Sequence, residues 1–206
     1  MILRDIQAHL ESIYRIQAPD VQAFQIDREQ LLEVAGESLR DAEEWVLVRE
    51  TEAGVDIAVF IDEAHLEVLD GISCVSQAPS EAFAAFCAAT EGVSHFLMLF
   101  ERYRRQEPVR MLELEAQAEV DKFVCASLHQ PDRSEEWWRR LFREASLVDG
   151  LGPEESYRYE EAGRLAAGFC ASLEGHPHVA SWLRQLRGFW RASGAQRLET
   201  MRKMAG

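Results

Sequence analysis

The chain has 206 residues, of which 47% are hydrophobic and 28% charged, and its formal net charge is −14. That length supports one large domain or two small ones, with a core that needs neither disulfides nor metal, and the composition excludes wholesale disorder. The charge sits in one half: residues 1–100 hold 5 Arg, no Lys and 19 Asp+Glu, whereas residues 101–206 hold 17 Lys+Arg and 17 Asp+Glu. An acidic half of this kind repels phosphate and argues against a nucleic-acid partner.

Ile2, Leu3, Ile6, Leu10 and Ile13 recur at helical spacing and predict a first helix over residues 2–14, which Pro19 cannot continue. Residues 23–26 read as a short strand. Asp27 followed by Gln30 is a capping-box pattern for a helix that runs to Leu39. Residues 45–48 and 55–61 are rich in β-branched and aromatic side chains and flank Glu52, Ala53 and Gly54, which predicts a β-hairpin. Its second arm is apolar on both sides apart from Asp56, so cover on both faces is expected. Asp62 caps a helix to about Leu69, and residues 73–79 read as a linker.

From Ser80 onward only helices are expected. Ser80 caps a helix to about Arg105, and Pro108 sits in the first turn of the next, which runs to about Leu128. Ser134 caps a third, and helices over 154–173 and 179–204 follow. The expectation is an α+β fold, predominantly helical. Residues 1–72 form a small acidic region containing the hairpin, and residues 80–206 an antiparallel bundle of about five helices.

The four cysteines, Cys74, Cys87, Cys125 and Cys170, contain no CxxC pair and lie in or beside apolar stretches, as free thiols do in a reducing, cytoplasmic compartment. The first residues lack the apolar core and cleavage site of a secretory leader. No apolar run approaches the length of a membrane span, so none is expected. P-loop, dinucleotide, HExxH, GxSxG and EF-hand spacings are all missing, which removes the largest recognisable enzyme classes and leaves the enzyme question open.

One constellation carries chemistry. On the helix over 80–105, Phe83, Phe86, Val93, Phe96, Leu97 and Phe100 form a broad apolar face, and Ala84, Ala85, Ala88 and Gly92 a strip that lets another backbone come close. Glu91, His95 and Arg102 fall in one row beside that strip, and Glu91 and His95 are four residues apart, so their side chains can meet. On the next helix Glu119 falls inside the apolar stripe, with Glu115 one turn earlier. A carboxylate in such a place needs a partner. With the turn centred on Glu107, two adjacent antiparallel helices bring Glu91, His95, Arg102, Glu115 and Glu119 together.

Three readings fit that set. Glu91, His95, Glu115 and Glu119 can hold one divalent metal ion such as zinc, manganese or iron, although the di-iron pattern of bundles is Glu-x-x-His and here three residues intervene. Glu91, His95 and Glu119 can serve as catalytic acid–base groups, with Arg102 binding an anionic ligand. A buried network that fixes helix register is the third. Glu63, His65 and Glu67 read as a solvated face, and His176 and His178 as part of a turn.

Trp137 and Trp138 are adjacent on a helix and cannot face the same way. With Arg139 and Arg140 they resemble an interface composition. The C-terminal segment adds Arg184, Arg187, Arg191, Arg197, Arg202 and Lys203 against Glu199. On these grounds the sequence points to an interaction or regulatory module that self-associates into a homo-oligomer or binds another protein. The alternative is a metal-binding protein or enzyme built on the Glu/His cluster.

Overall fold

In the computed structural model, which describes residues 2–36, 43–52, 54–72, 82–147, 150–176 and 178–206, the amphipathic start of the chain folds as α1 (Ile2–Tyr14) with Ile2, Leu3, Ile6, Leu10 and Ile13 buried. Residues 23–26 do not form the expected strand. Asp20 accepts a hydrogen bond from the Gln22 N–H at 3.1 Å and winds Val21–Phe24 into a 3₁₀ turn, leaving Gln25 with only a single bridge to Val59. Asp27 and Gln30 close the capping box that opens α2 (Arg28–Ala35), which ends at Gly36; the continuation to Leu39 falls outside the described residues.

The hairpin consists of β1 (Glu44–Thr51) and β2 (Gly54–Ile61), antiparallel in a register that runs from Glu44↔Ile61 to Thr51↔Gly54. Only the end of β2 is covered on both faces. Val59, Phe60 and Ile61 are buried, whereas Asp56 is exposed and pairs with Arg49. Asp62 caps α3 (Glu63–Leu69) by accepting from the Ala64 N–H at 2.9 Å. The linker 73–79, Ser80 as a cap, and Cys74 lie outside the described residues.

The helical part comprises α4 (Phe83–Arg105), α5 (Met111–His129), α6 (Ser134–Phe142), α7 (Pro153–Glu174), α8 (Val179–Arg191) and α9 (Gly194–Met204). The expected single final helix is therefore two. The backbone leaves helical geometry at Ala192, and Ser193 restarts it with a capping box to Gln196. Pro108 precedes α5 instead of opening it, because Gln106 takes a left-handed conformation that ends α4 and the chain stays extended through Arg110. Ser134 is not the cap of α6. A 3₁₀ turn over Pro131–Arg133 leads in, and the Ser134 hydroxyl donates to Glu174 at 2.8 Å.

α5 lies at the centre, packed against α1, α4, α6, α7 and α9, which is why almost every residue from Glu113 to Ser127 is buried whatever its polarity. One core cluster joins Leu3, Ile6 and Val59 to Val93, Phe123, Leu165 and Met201. α4 is long and apolar enough to cross a membrane by length and composition, and 67% of that stretch is buried within the chain. Of the adjacent tryptophans singled out from the sequence, Trp137 is buried and Trp138 half-buried. Trp137 stacks on Phe83 at 5.1 Å and Trp190 on Tyr14 at 4.3 Å, while Trp182 is also half-buried. Cys125 and Cys170 are buried free thiols and Cys87 is half-buried.

Gly92 decides how the hairpin meets α4. A Cβ there would lie 2.6 Å from Ile61 Cδ1 and 3.2 Å from Glu44 Cγ. Its absence lets β1 and β2 press against α4 and carries Glu44 to the helix surface.

Candidate functional site

α4 presents Glu91 and His95 one turn apart towards the hairpin and α5. His95 Nδ1 lies 3.3 Å from Glu44 Oε1, and His95 Nε2 lies 3.6 Å from Glu115 Oε2. His95 is 8% exposed, and Nε2 makes no hydrogen bond. Arg158, from α7, approaches the other oxygen of Glu115 at 3.4 Å. One turn away, Lys122 Nζ donates to Glu91 Oε2 at 3.0 Å and to Glu119 Oε1 at 2.7 Å. One ligand atom from each of Glu44, Glu91 and His95 lies within 4.8 Å of the other two.

The electrostatics follow from packing four carboxylates into a semi-buried space. Burial alone lowers the pKa of His95, but Glu44, Glu115 and Glu91 outweigh it and hold the imidazole up at about 9. Burial lifts Glu115 to about 7 against the pull of His95 and Arg158. Burial also raises Glu44 and Glu119. Glu91 is opposed by burial yet ends below the usual carboxylate range, because Lys122 and His95 stand beside it. Lys122 is desolvated, but Glu119 and Glu91 keep it charged, well above the ordinary lysine value. Burial pushes the nearby Cys87 thiol up to about 12, so it is no thiolate nucleophile.

Of the residues singled out from the sequence, the structure brings Glu91, His95, Glu115 and Glu119 into this one cluster. Arg102 is elsewhere. It lies seven residues beyond His95, about 10 Å along the helix at about 1.5 Å per residue. There it binds Glu107 and Glu113 and donates to the Ala192 carbonyl at 3.0 Å, so it is no anion clamp for the Glu/His set. The pairing level also shifts: His95 meets Glu115 and not Glu119.

Glu44, Lys122 and Arg158 were not anticipated. Lys122 carried a signal, as one of two lysines in the chain, placed three residues from a carboxylate that needed a partner. Glu44 and Arg158 come from a strand and a distant helix, and nothing local marks either.

Glu44, Glu91, Glu119 and Lys122 also line a cleft of about 1110 Å³ whose other walls come from α6, α7 and the end of α9. Phe83, Trp138, Phe142 and Ala167 make those walls largely apolar.

No family model matches the chain, and no curated protein and no solved structure matches it. The chemistry therefore has to be read from the side chains themselves.

Other polar groups separate from this cluster by their surroundings. Asp121 is wholly buried and accepts from Tyr14, from Gln117 at 2.9 Å and from Ser94 at 2.6 Å, a set saturated by its own donors. Glu113 is held by Arg197 and Arg102. His65 pairs with Glu43 at 3.4 Å, and His178 is exposed in the turn before α8. Among the described residues, the Glu44–Glu91–His95 group combines converging ligand atoms with an opening to a cleft.

Proposed function

We propose that the chain binds one divalent transition-metal ion through Glu44, Glu91 and His95. The observation that carries this reading is the convergence of two carboxylates and an imidazole nitrogen, from β1 and α4, within 4.8 Å of one another at the edge of a cleft. Carboxylate and imidazole together suit manganese, iron or zinc better than calcium or copper(I).

The surroundings support it in two ways. His95 turns Nδ1 towards Glu44 and Nε2 towards Glu115 at 3.6 Å, so an ion on Nδ1 leaves Nε2–H facing a carboxylate that Arg158 holds from behind, a small shift short of a hydrogen bond. That carboxylate–histidine arrangement orients metal ligands and strengthens them as donors. Charge supports it as well. Without an ion the protonated imidazole shares in balancing these carboxylates; a divalent cation displaces its proton, and the ionised carboxylates of Glu44, Glu91, Glu115 and Glu119 are then matched by the ion together with Lys122 and Arg158 among the described residues.

The test is calorimetric titration of chelator-stripped protein with Mn²⁺. One equivalent should bind. Glu44→Gln and His95→Ala should abolish binding, and Glu115→Gln should weaken it by about 10–100-fold, the usual effect of removing a group that orients a ligand. Unchanged affinity in Glu44→Gln would refute the site.

A further inference from the structure

The cleft beside the cluster is larger than an ion needs. At about 1110 Å³ it has the size of a small-molecule site, and it is open at the surface of α4 and α7. Phe83, Trp138, Leu141 and Phe142 form an apolar wall, and Gly163 and Ala167 of α7 form the side facing it. Glu44 and Glu91 line the cleft while His95 stands outside its lining. A cation held by these three therefore turns its remaining coordination positions towards the cleft, as in metal sites that keep a place open for a ligand.

Resting on the cation reading above, we propose that the cleft takes a small apolar molecule with a neutral oxygen donor, such as a carbonyl, whose tail lies along Trp138 and Phe142 and whose oxygen fills the open position on the ion. The aromatic side of the cleft, at Trp138, Leu141 and Phe142, selects the tail, since it offers apolar burial away from the carboxylates. The charge of the lining selects the head. Among the described lining residues six glutamates stand against Lys122, Arg140 and Arg164, and Lys122 is already engaged by Glu91 and Glu119. An anionic head is repelled there, and a cationic head competes with the ion for the same carboxylates. A neutral oxygen meets neither obstacle, and a bound cation attracts its lone pair.

The probe is octanamide, which joins an apolar tail to a neutral carbonyl, titrated calorimetrically into Mn²⁺-loaded and metal-free protein. The blocking variant is Gly163→Leu. A Cβ at Gly163 meets nothing within 4 Å, so the helix accepts the side chain while the cleft is filled. The expected result is octanamide binding at least tenfold tighter in the Mn²⁺-loaded protein. Gly163→Leu should retain Mn²⁺ and lose at least tenfold in octanamide affinity. Mn²⁺ binding without octanamide binding overturns this inference alone, as does unchanged octanamide affinity in Gly163→Leu. Octanoate binding more tightly than octanamide overturns the neutral head. Failure to bind Mn²⁺ overturns the cation reading and this inference with it.

Discussion

Asp121 shows what a single polar residue on a central helix must satisfy. Its carboxylate takes hydrogen bonds from Tyr14, Gln117 and Ser94, three donors from α1, α5 and α4 with no access to water. Burial pushes its pKa up to about 6 even against those donors. Asp121→Ala leaves all three donors without an acceptor and should cost about 3 kcal/mol in urea unfolding. Asp121→Asn keeps an oxygen for Tyr14 and Gln117 and should cost roughly half as much. Equal losses in the two variants would show that the network contributes little beyond shape.

His9 gives a pH dependence with a definite sign. It lies against His129 with the rings tilted and their centroids 4.2 Å apart, and burial, followed by the neighbouring imidazole, lowers its pKa to about 4. The unfolded chain takes up a proton there near the ordinary histidine value of about 6.5, whereas the folded chain resists until about 4, so stability falls as pH drops through that window. His9→Gln should flatten part of that fall when unfolding is compared at about pH 7 and pH 4.5. An identical slope in both proteins would exclude the pair as its source.

At this scale the sequence was readable where one residue announced its own problem. Glu119 within an apolar stripe demanded a partner, and Glu91 with His95 formed a facing pair. The partner itself, Lys122, stands three positions along the same helix, not on the facing one.

Among the elements, local signals succeeded where a carboxylate caps a helix or an apolar stripe is clear, and failed at Ser134, Pro108 and residues 23–26. α1 followed its apolar spacing, and α2 and α3 began at Asp27 and Asp62 because those carboxylates accept from backbone N–H groups that the helix leaves unpaired. The break between α8 and α9 was concealed by continuous helical periodicity. Ser193 and Gln196 form a capping box that is visible in retrospect, and Gly194 is required there because the Glu113 carboxylate packs where its Cβ would be.

Gly92 offers the sharpest test of how elements fit together. In a helix, glycine to alanine ordinarily stabilises by about 0.5–1 kcal/mol. Gly163→Ala, where a Cβ meets nothing within 4 Å, should show that gain. Gly92→Ala should instead destabilise by about 1–3 kcal/mol, since the new methyl collides with Ile61 and the hairpin must lift. It should also weaken Mn²⁺ binding, because the same movement withdraws Glu44. A stabilised Gly92→Ala variant would contradict the close approach of hairpin and α4.

Over the whole molecule the acidic first half and the basic last segment meet differently from what their charges suggest. Arg187 of α8 donates to the carbonyls of Ile13 at 2.8 Å and Ser12 at 3.3 Å, at the C-terminal end of α1 where the helix dipole is negative. Among the described residues the ion pairs of α8 and α9 run to Glu113 and Glu199, not to the first 100 residues. The charge asymmetry seen in the sequence is thus not cancelled by ion pairs from α8 and α9 among the described residues, and the carboxylate cluster on α4, α5 and β1 draws on both halves.

That cluster is a property of tertiary structure. Helical spacing alone brings Glu91, His95, Glu115 and Glu119 together, but Glu44 reaches the cluster from 51 residues away from His95 and Arg158 from another helix, and no spacing rule places those two. The direct test of the account is anomalous X-ray scattering from crystals grown with Mn²⁺. A single strong peak should appear within coordinating distance of Glu44, Glu91 and His95 Nδ1. Its absence there, or a peak only at exposed histidines such as His178, would contradict the proposed site.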